Sequence, residues 1–263
     1  MRDELGDRMK KYYEDRTRFL LPRRSYSIIR IDGKAFHTYT RGLNQPFDDG
    51  LIEDMDLTAC YLCKNIQGAK FGFVQSDEIS ILITDFDKIG TDAWFDGNIQ
   101  KMVSVASSMA TSKFNQLRTI RQLKYTVGFN YADMKLAEFD ARIFTIPCDY
   151  EVENYFIWRQ QDTVRNSISS VAQSLYKNHN DLKGKNMSVQ QEMIFQKGIN
   201  WNDYAPKYKR GRVIQKEMVA METPFVSVDK KQTAYERSVW KSTECPIFTQ
   251  EREFLEKLIP KNL

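Results

Sequence analysis

Ile29-Arg30-Ile31-Asp32-Gly33-Lys34-Ala35-Phe36-His37 and Gln75-Ser76-Asp77-Glu78-Ile79-Ser80 decide how this chain is read. Each sets an acidic residue where a run of β-branched and aromatic residues gives out. Tyr26 to Ile31 reads as a strand that stops at Asp32-Gly33; Phe71–Gln75 and Ile79–Thr84 read as a hairpin turning at Ser76-Asp77-Glu78. If these strands share a sheet, Asp32 and Asp77 meet at one edge, where Gly33 permits close backbone approach and Ser76 adds a hydroxyl. Two carboxylates so placed suit a pair of Mg2+ ions and the phosphates such ions bind, the arrangement for in-line phosphoryl or nucleotidyl transfer. The competing reading makes each acid a solvated turn residue, and Glu78 is a second-tier candidate for the metal, with water the commoner surroundings of a hairpin residue.

Outward from these segments the elements alternate. A helix is expected over 3–13, an amphipathic helix over 48–66, a second over 97–117, and strands over 124–129 and 139–146, the last closed by Pro147. Strand–helix–hairpin–helix–strand is the α+β, ferredoxin-like split βαβ order: an antiparallel sheet with helices on one face, the plan of polymerase palms and class III cyclases. Residues 1–147 form this palm, and 148–263 a C-terminal helical extension packed on it as one unit. A long helix over 151–176 sets Arg159, Asp162 and Asn166 at i, i+3 and i+7, on one face. That face meets substrate phosphates or is a solvated surface with an internal ion pair. Ser188 and Gln191 read as a capping box opening a helix to Lys197, Gly198–Asn202 as a break, and 213–221 as a strand. Phe254, Leu255, Leu258 and Ile259 recur at helical spacing in the tail.

The 263 residues, 41% of them hydrophobic, suffice for a large core. Net charge is only +4, but basic residues cluster at Arg23-Arg24, at Arg118 through Lys124 and at Lys207-Tyr208-Lys209-Arg210-Gly211-Arg212. Clusters interleaved with Tyr suit a polyanion. Residues 1–18 are too evenly charged for a targeting segment, and no apolar stretch approaches the ~20 residues of a membrane span, so a soluble, cytoplasmic protein is expected. Cys60 and Cys63 form a nominal C-x-x-C, yet Ile52, Met55, Ala59, Leu62, Cys63 and Ile66 recur at helical spacing, which puts Cys63 on a core stripe rather than at a zinc ion.

With these residues assembled, the chain resembles the tRNA(His) guanylyltransferase family, in particular its bacterial, archaeal and phage-type members that act as 3′–5′ polymerases. The resemblance rests on R-I-D-G-x-x-F-H at 30–37, S-D-E at 76–78, F-D-A-R at 139–142, Y-F-x-W-R-Q-x-D at 155–162, G-I-N-W-N at 198–202 and Y-K-R-G at 208–211. It implies that Asp32 and Asp77, with the carbonyl of Gly33, hold two Mg2+ ions, and that Asp32, Gly33, Lys34, Ala35, Phe36, His37, Ser76 and Asp77 surround a bound nucleotide. From the shared helix face and the Tyr-flanked basic loop, Arg159, Asp162, Asn166, Lys209 and Arg210 are candidates for the RNA. Phe36 packs in the core or against a base, and His37 is a general base or a positioning donor.

The implied reaction adds nucleotides to a tRNA 5′ end: ATP adenylylates a 5′-monophosphate, and the 3′-hydroxyl of GTP or another NTP displaces the activating group, with the opposite strand selecting the base. The implied assembly is a homotetramer. Some positions depart from the family pattern. Val164-Arg165-Asn166-Ser167 stands where eukaryotic relatives read His-Ile-Asn-Asn, in a segment associated with tRNA recognition, so a strict preference for tRNA(His) is not expected. Gln45 precedes Pro46 where a basic residue is common, which bears on adenylylation, and Ala35 and Ala141 stand where glycines are frequent. The rival readings are a cyclase-like enzyme on the same palm and a non-catalytic RNA-binding protein.

Overall fold

A six-stranded antiparallel sheet in the order β4-β1-β3-β2-β5-β6 organises the molecule. The computed structural model describes residues 3–125, 134–222 and 234–262. In chain order the elements are α1 (Glu4–Met9), β1 (Tyr26–Gly33), α2 (Phe36–Tyr39), α3 (Asp49–Asn65), β2 (Ala69–Gln75), β3 (Glu78–Ile83), α4 (Ile99–Tyr125) and β4 (Phe139–Ile146). There follow α5 (Asp149–Leu175), α6 (His179–Leu182), α7 (Met187–Gln196), α8 (Pro206–Lys209), β5 (Arg212–Glu222), β6 (Ala234–Glu244) and α9 (Arg252–Leu258). The first four strands of that order, β4-β1-β3-β2, carry the split βαβ topology expected from the sequence. A two-stranded ribbon extends the sheet: β5 pairs with β2 through Arg212–Ile214 and with β6 along its whole length.

Both sheet faces are covered, so β1 alternates between two cores rather than between core and water. Ile29 and Ile31 pack under α3 and α4 with Met55, Ala59, Leu62, Met102, Ala106, Ala110 and Phe114. Tyr26 and Ile28 face α5 and α9, with Phe71, Phe73, Val152, Phe156, Phe248 and Leu255. The helices of the βαββαβ unit thus lie on one face, and the C-terminal region takes the other. Cys63 lies in the α3 core stripe, as its spacing predicts, and the tail spacing resolves into α9 with Leu255 and Ile259 buried.

Two expectations about local structure are corrected, and a strand appears that the sequence pattern does not show. Helix α4 runs past residue 117 to Tyr125, so Lys124 and Tyr125 are helical; the rest of the strand expected over 124–129 lies outside the described residues. Helix α7 is capped by Asn186, whose side chain accepts from the Val189 amide at 3.0 Å, and Ser188 lies inside the helix. Strand β6 has no apolar alternation of its own and is strand because it pairs with β5.

The overrun of α4 has an electrostatic cause. Arg118 and Arg121 both reach Asp54 of α3, Arg118 Nη1 at 3.1 Å and Arg121 Nη2 at 2.9 Å. Asp54 is 1% exposed and Arg118 7%. This part of the basic run is an internal anchor and not a polyanion surface. The other two clusters are likewise engaged within the fold: Arg23 with Asp85 at 2.7 Å, and Lys207 with Asp49 at 2.7 Å. Replacing Asp54 by Ala leaves two guanidinium groups without their shared buried carboxylate, and should cost about 3–5 kcal/mol in denaturant unfolding. A loss below about 1 kcal/mol would show that the α3–α4 contact is held by apolar packing alone.

Candidate active site

Register brings the two acidic segments together. Asp32 lies opposite Glu78 across β1–β3 and opposite Asp140 across β1–β4. Gln75 pairs with Glu78, so the turn consists of Ser76 and Asp77 alone. Ser76 takes φ 44°, the positive value that a two-residue hairpin loop asks of a central residue. Asp77 therefore immediately precedes β3, whose first residue, Glu78, faces Asp32, and the two carboxylates converge at one end of the strands.

Burial pushes the Asp77 carboxyl up to about 6; a hydrogen bond from Ser76 opposes the rise, and the charge of Asp32 adds to it. A carboxylate whose ionisation is opposed by burial and by a neighbouring negative charge is relieved by a cation beside it. Among the described residues no group of three or more His, Cys, Asp and Glu side chains gathers as a metal site. The two aspartates and the Gly33 carbonyl are hard oxygen donors. Mg2+ uses such a small carboxylate set, completed by water and nucleotide phosphates. The residues present fit that ion.

The segment after β1 is shaped by its glycine and its aromatic residue. A Cβ on Gly33 would fall 2.2 Å from the Phe36 ring, so only glycine lets that ring fold back. Phe36 is buried against Phe114 and Phe139, with ring centroids 5.7 and 5.2 Å away, which places its side chain in the core rather than on a base. Ala35 takes the left-handed conformation, φ 52° and ψ 38°, which explains why glycine suits this position. The Lys34 amide donates to the Glu138 carbonyl at 2.8 Å, so that amide is not part of a phosphate cradle. Its exposed ammonium pairs with Glu138 Oε2 at 2.5 Å, an exposed contact that a phosphate could displace. His37 is exposed.

Glu78 does not face water. It is the first residue of β3, is buried, and receives the Arg159 guanidinium at two points, Nε to Oε1 at 2.8 Å and Nη2 to Oε2 at 2.6 Å. Arg159 is itself 5% exposed and also bonds Asp162 at 3.0 Å. Its expected place on an RNA-facing helix surface is corrected: the partner that buries it lies 81 residues away in sequence. Asp162 is shared with Arg165 at 2.7 Å, while Arg165 and Asn166 are exposed. Lys209 is buried and donates to the Asn202 carbonyl at 2.5 Å, which removes it from the solvent-facing cations; Arg210 stays half-buried. Tyr208 stacks on Phe47 at 4.8 Å and bonds Asp49, which docks the Y-K-R-G segment on the start of α3.

One feature of the site escaped sequence reading. Arg30 and Arg142 are register partners one step along the sheet from the Asp32–Asp140 pair, on the same face. Arg30 Nε is buried without a hydrogen-bond partner and is 3.9 Å from a Glu78 oxygen. Like charges directly opposite one another cost stability, which Glu78 beside Arg30 and Asp140, 3.3 Å from Arg142 Nη2, offset within the fold. The signal was the two-residue spacing of each Arg from its Asp, legible only once the β1–β4 register is known.

Residues 6–147 match the profile of a family described as "Thg1: tRNAHis guanylyltransferase". The fold superposes with a TM-score of 0.80 on a solved bacterial tRNA(His) guanylyltransferase (Thg1)-like protein in complex with ATP; identity is 44%, covering 98% of this chain and 99% of that one. A probable tRNA(His) guanylyltransferase of Dictyostelium discoideum is 28% identical over 73% of this chain and 75% of its own length. The Saccharomyces cerevisiae enzyme shares the fold at a TM-score of 0.63 and 21% identity, covering 85% of this chain and 95% of that one.

The raised Asp77 carboxyl gives a prediction whose sign can be worked out. A folded value near 6 against 3.8 for the unfolded chain means that the folded state binds more protons between these pH values, so stability falls as pH rises through them. Asp77→Asn removes that charge. The metal-free variant should exceed the wild type at pH 8 by on the order of 1–3 kcal/mol, with the difference fading below about pH 4. Mg2+ should raise the wild-type Tm and leave that of the variant unchanged. A variant less stable at pH 8 and equally responsive to Mg2+ would contradict the geometry.

Proposed function

The chain belongs to the tRNAHis guanylyltransferase family, whose members are nucleotidyltransferases, and we propose that it adds nucleotides to the 5′ end of tRNA in the 3′–5′ direction, as the opposite strand directs. The observation that carries this reading is the convergence of Asp32 and Asp77 at one end of the strands, beside exposed groups suited to a triphosphate. Asp32, Asp77 and the Gly33 carbonyl would hold Mg2+, two ions in number. Bound there, Mg2+ neutralises triphosphate charge and polarises the attacking oxygen.

The chain's own groups supply the rest. The Ser76 hydroxyl and the Lys34 ammonium offer donors to phosphate oxygens on either side of the carboxylates. The amides of Phe36 and His37 open the one-turn helix α2 and so have no acceptor within it. Arg30 and Arg142 present two guanidinium groups on the same sheet face as Asp32. In the first step the 5′-monophosphate of the RNA attacks the α-phosphate of ATP and releases pyrophosphate. In the second the 3′-hydroxyl of the incoming nucleotide attacks the activated 5′-phosphate and releases AMP. No side chain is needed to read the added base, because pairing with the facing strand selects it.

On the RNA side, Asn166 with its neighbour Arg165 is left exposed on α5, and Arg210 lies half-buried after α8. We place the reaction on a homotetramer in the cytoplasm. Supporting the assembly, residues 4–17 contain no buried side chain, while Leu5, Tyr12, Tyr13 and Phe19 are exposed and apolar enough to need a partner. No helix among the described residues is long and apolar enough to cross a membrane.

The test supplies Mg2+, ATP, labelled NTPs and a tRNA lacking its first nucleotide. Label should enter the RNA as the base that pairs with the facing acceptor position, and changing that position should change the nucleotide accepted. Asp32→Ala and Asp77→Ala should each lower the rate at least about a thousandfold with the fold intact. A labelled product formed without RNA, or GTP added whatever stands opposite, would contradict the proposal. With Val164-Arg165-Asn166-Ser167 in the recognition segment, efficiency on tRNA(His) and on other tRNAs with equivalent ends should agree within about tenfold, ~1.4 kcal/mol. A preference of a hundredfold or more would overturn that reading of the segment.

A further inference from the structure

The turn that carries Asp77 is two residues long, and the residues on both sides of it are buried polar groups tied to the same helix. Gln75 is 2% exposed and its Oε1 accepts from Thr163 Oγ1 at 2.7 Å. Glu78 is 7% exposed and takes the two-point contact from Arg159. Gln75 Nε2 and Glu78 Oε1 also meet across the turn at 3.2 Å. Arg159 and Thr163 sit one helical turn apart on α5, so both contacts come from one face of that helix. The hairpin is therefore gripped on both strands, at the last residue before the turn and the first after it.

We propose that Arg159 is a positioning residue: through Glu78, and with Thr163 acting on Gln75, it fixes the Ser76-Asp77 turn and so the Asp77 carboxylate relative to Asp32. Stability alone does not account for the arrangement. Taking a carboxylate and a guanidinium out of water is costly, and a well-packed apolar pair often holds a fold as well. A bidentate pair adds direction: two parallel contacts set both the position and the rotation of the carboxylate, which packing of aliphatic chains does not. Direction matters here because Glu78 is the register partner of Asp32 and the covalent neighbour of Asp77. Asp162 completes the clamp by accepting from the same Arg159 Nη2 that bonds Glu78, and is itself held by Arg165. The chain of alternating charge runs from the surface of α5 to the hairpin.

The proposal rests on the reading of Asp77 as a metal-holding carboxylate, and the test separates the two. Wild type, Arg159→Met and the double variant Glu78→Gln with Arg159→Met are compared in nucleotide-free form by thermal unfolding and by Mn2+ titration followed by electron paramagnetic resonance. Arg159→Met alone strands a buried carboxylate and should lower Tm by roughly 6–15 °C. The double variant removes both charges, keeps an acceptor for Gln75 and Ser80, and should recover most of that loss. Its Mn2+ affinity should remain at least tenfold below wild type, because the direction of the clamp is lost. If stability and Mn2+ affinity recover together, the pair is structural and the proposal is overturned. Wild-type affinity in both variants overturns it equally. If the single variant does not fold, the double variant carries the comparison. A wild type that takes up no Mn2+ overturns the metal reading, and the positioning role with it.

Discussion

The register of β1 against β3 is the constraint on which the site depends. Side chains alternate across a strand, so a slip of one residue would turn Asp32 to the opposite face and carry it from the side of Glu78 to the side of Phe114. Here both faces are buried, and a slip would also bring Arg30 into the α3–α4 core and Ile29 and Ile31 out of it. The apolar alternation of Tyr26 to Ile31 thus does two things at once. It stabilises the sheet, and it assigns the carboxylate at the end of the strand to one face of one edge.

The same sheet explains how the molecule spends its charge. Every basic cluster visible in the sequence contains a member with an acidic partner distant in the chain: Arg23 with Asp85, Arg118 and Arg121 with Asp54, Lys207 with Asp49, Arg212 with Asp56. Most of these contacts join elements, such as α3 to α4 and α3 to the start of β5. The positive groups that remain near the site are Lys34, Arg30 and Arg142. Lys34 is exposed in a pair with Glu138, Arg142 pairs with Asp140 at 3.3 Å, and Arg30 faces Arg142 with its Nε left unsatisfied.

The strands and helices of the βαββαβ unit were legible because each carries its own periodicity, and Asp32 and Asp77 because each interrupts a strand. Glu78 was not legible as a buried residue. Its character depends on Arg159 arriving from a helix 81 residues later, and nothing local distinguishes it from a turn residue. Arg159 was read as a surface cation for the same reason, since its partner is one that only the fold brings near; Lys209 is instead turned inward by a local bond to the Asn202 carbonyl. Helix ends were the other weak point. Asn186 and Ser188 are both good caps, and the backbone chooses between them; α4 outruns its apolar stripe because its last two turns are held by charge and not by packing. Strand β6, with Tyr235-Glu-Arg-Ser-Val-Trp-Lys-Ser-Thr243, has no pattern to read and is a strand by pairing.

If Asp32 and Asp77 are the groups around which nucleotides are held and joined, divalent ions must lie between them. Crystals of the wild-type protein soaked with Mn2+ and a non-hydrolysable GTP analogue, measured at the manganese edge, locate such ions by anomalous scattering. The account predicts peaks within coordination distance, ~2.0–2.2 Å, of carboxylate oxygens from both Asp32 and Asp77 and of the triphosphate. A triphosphate bound with its manganese elsewhere on the molecule, or at this edge with neither aspartate coordinating, would contradict it.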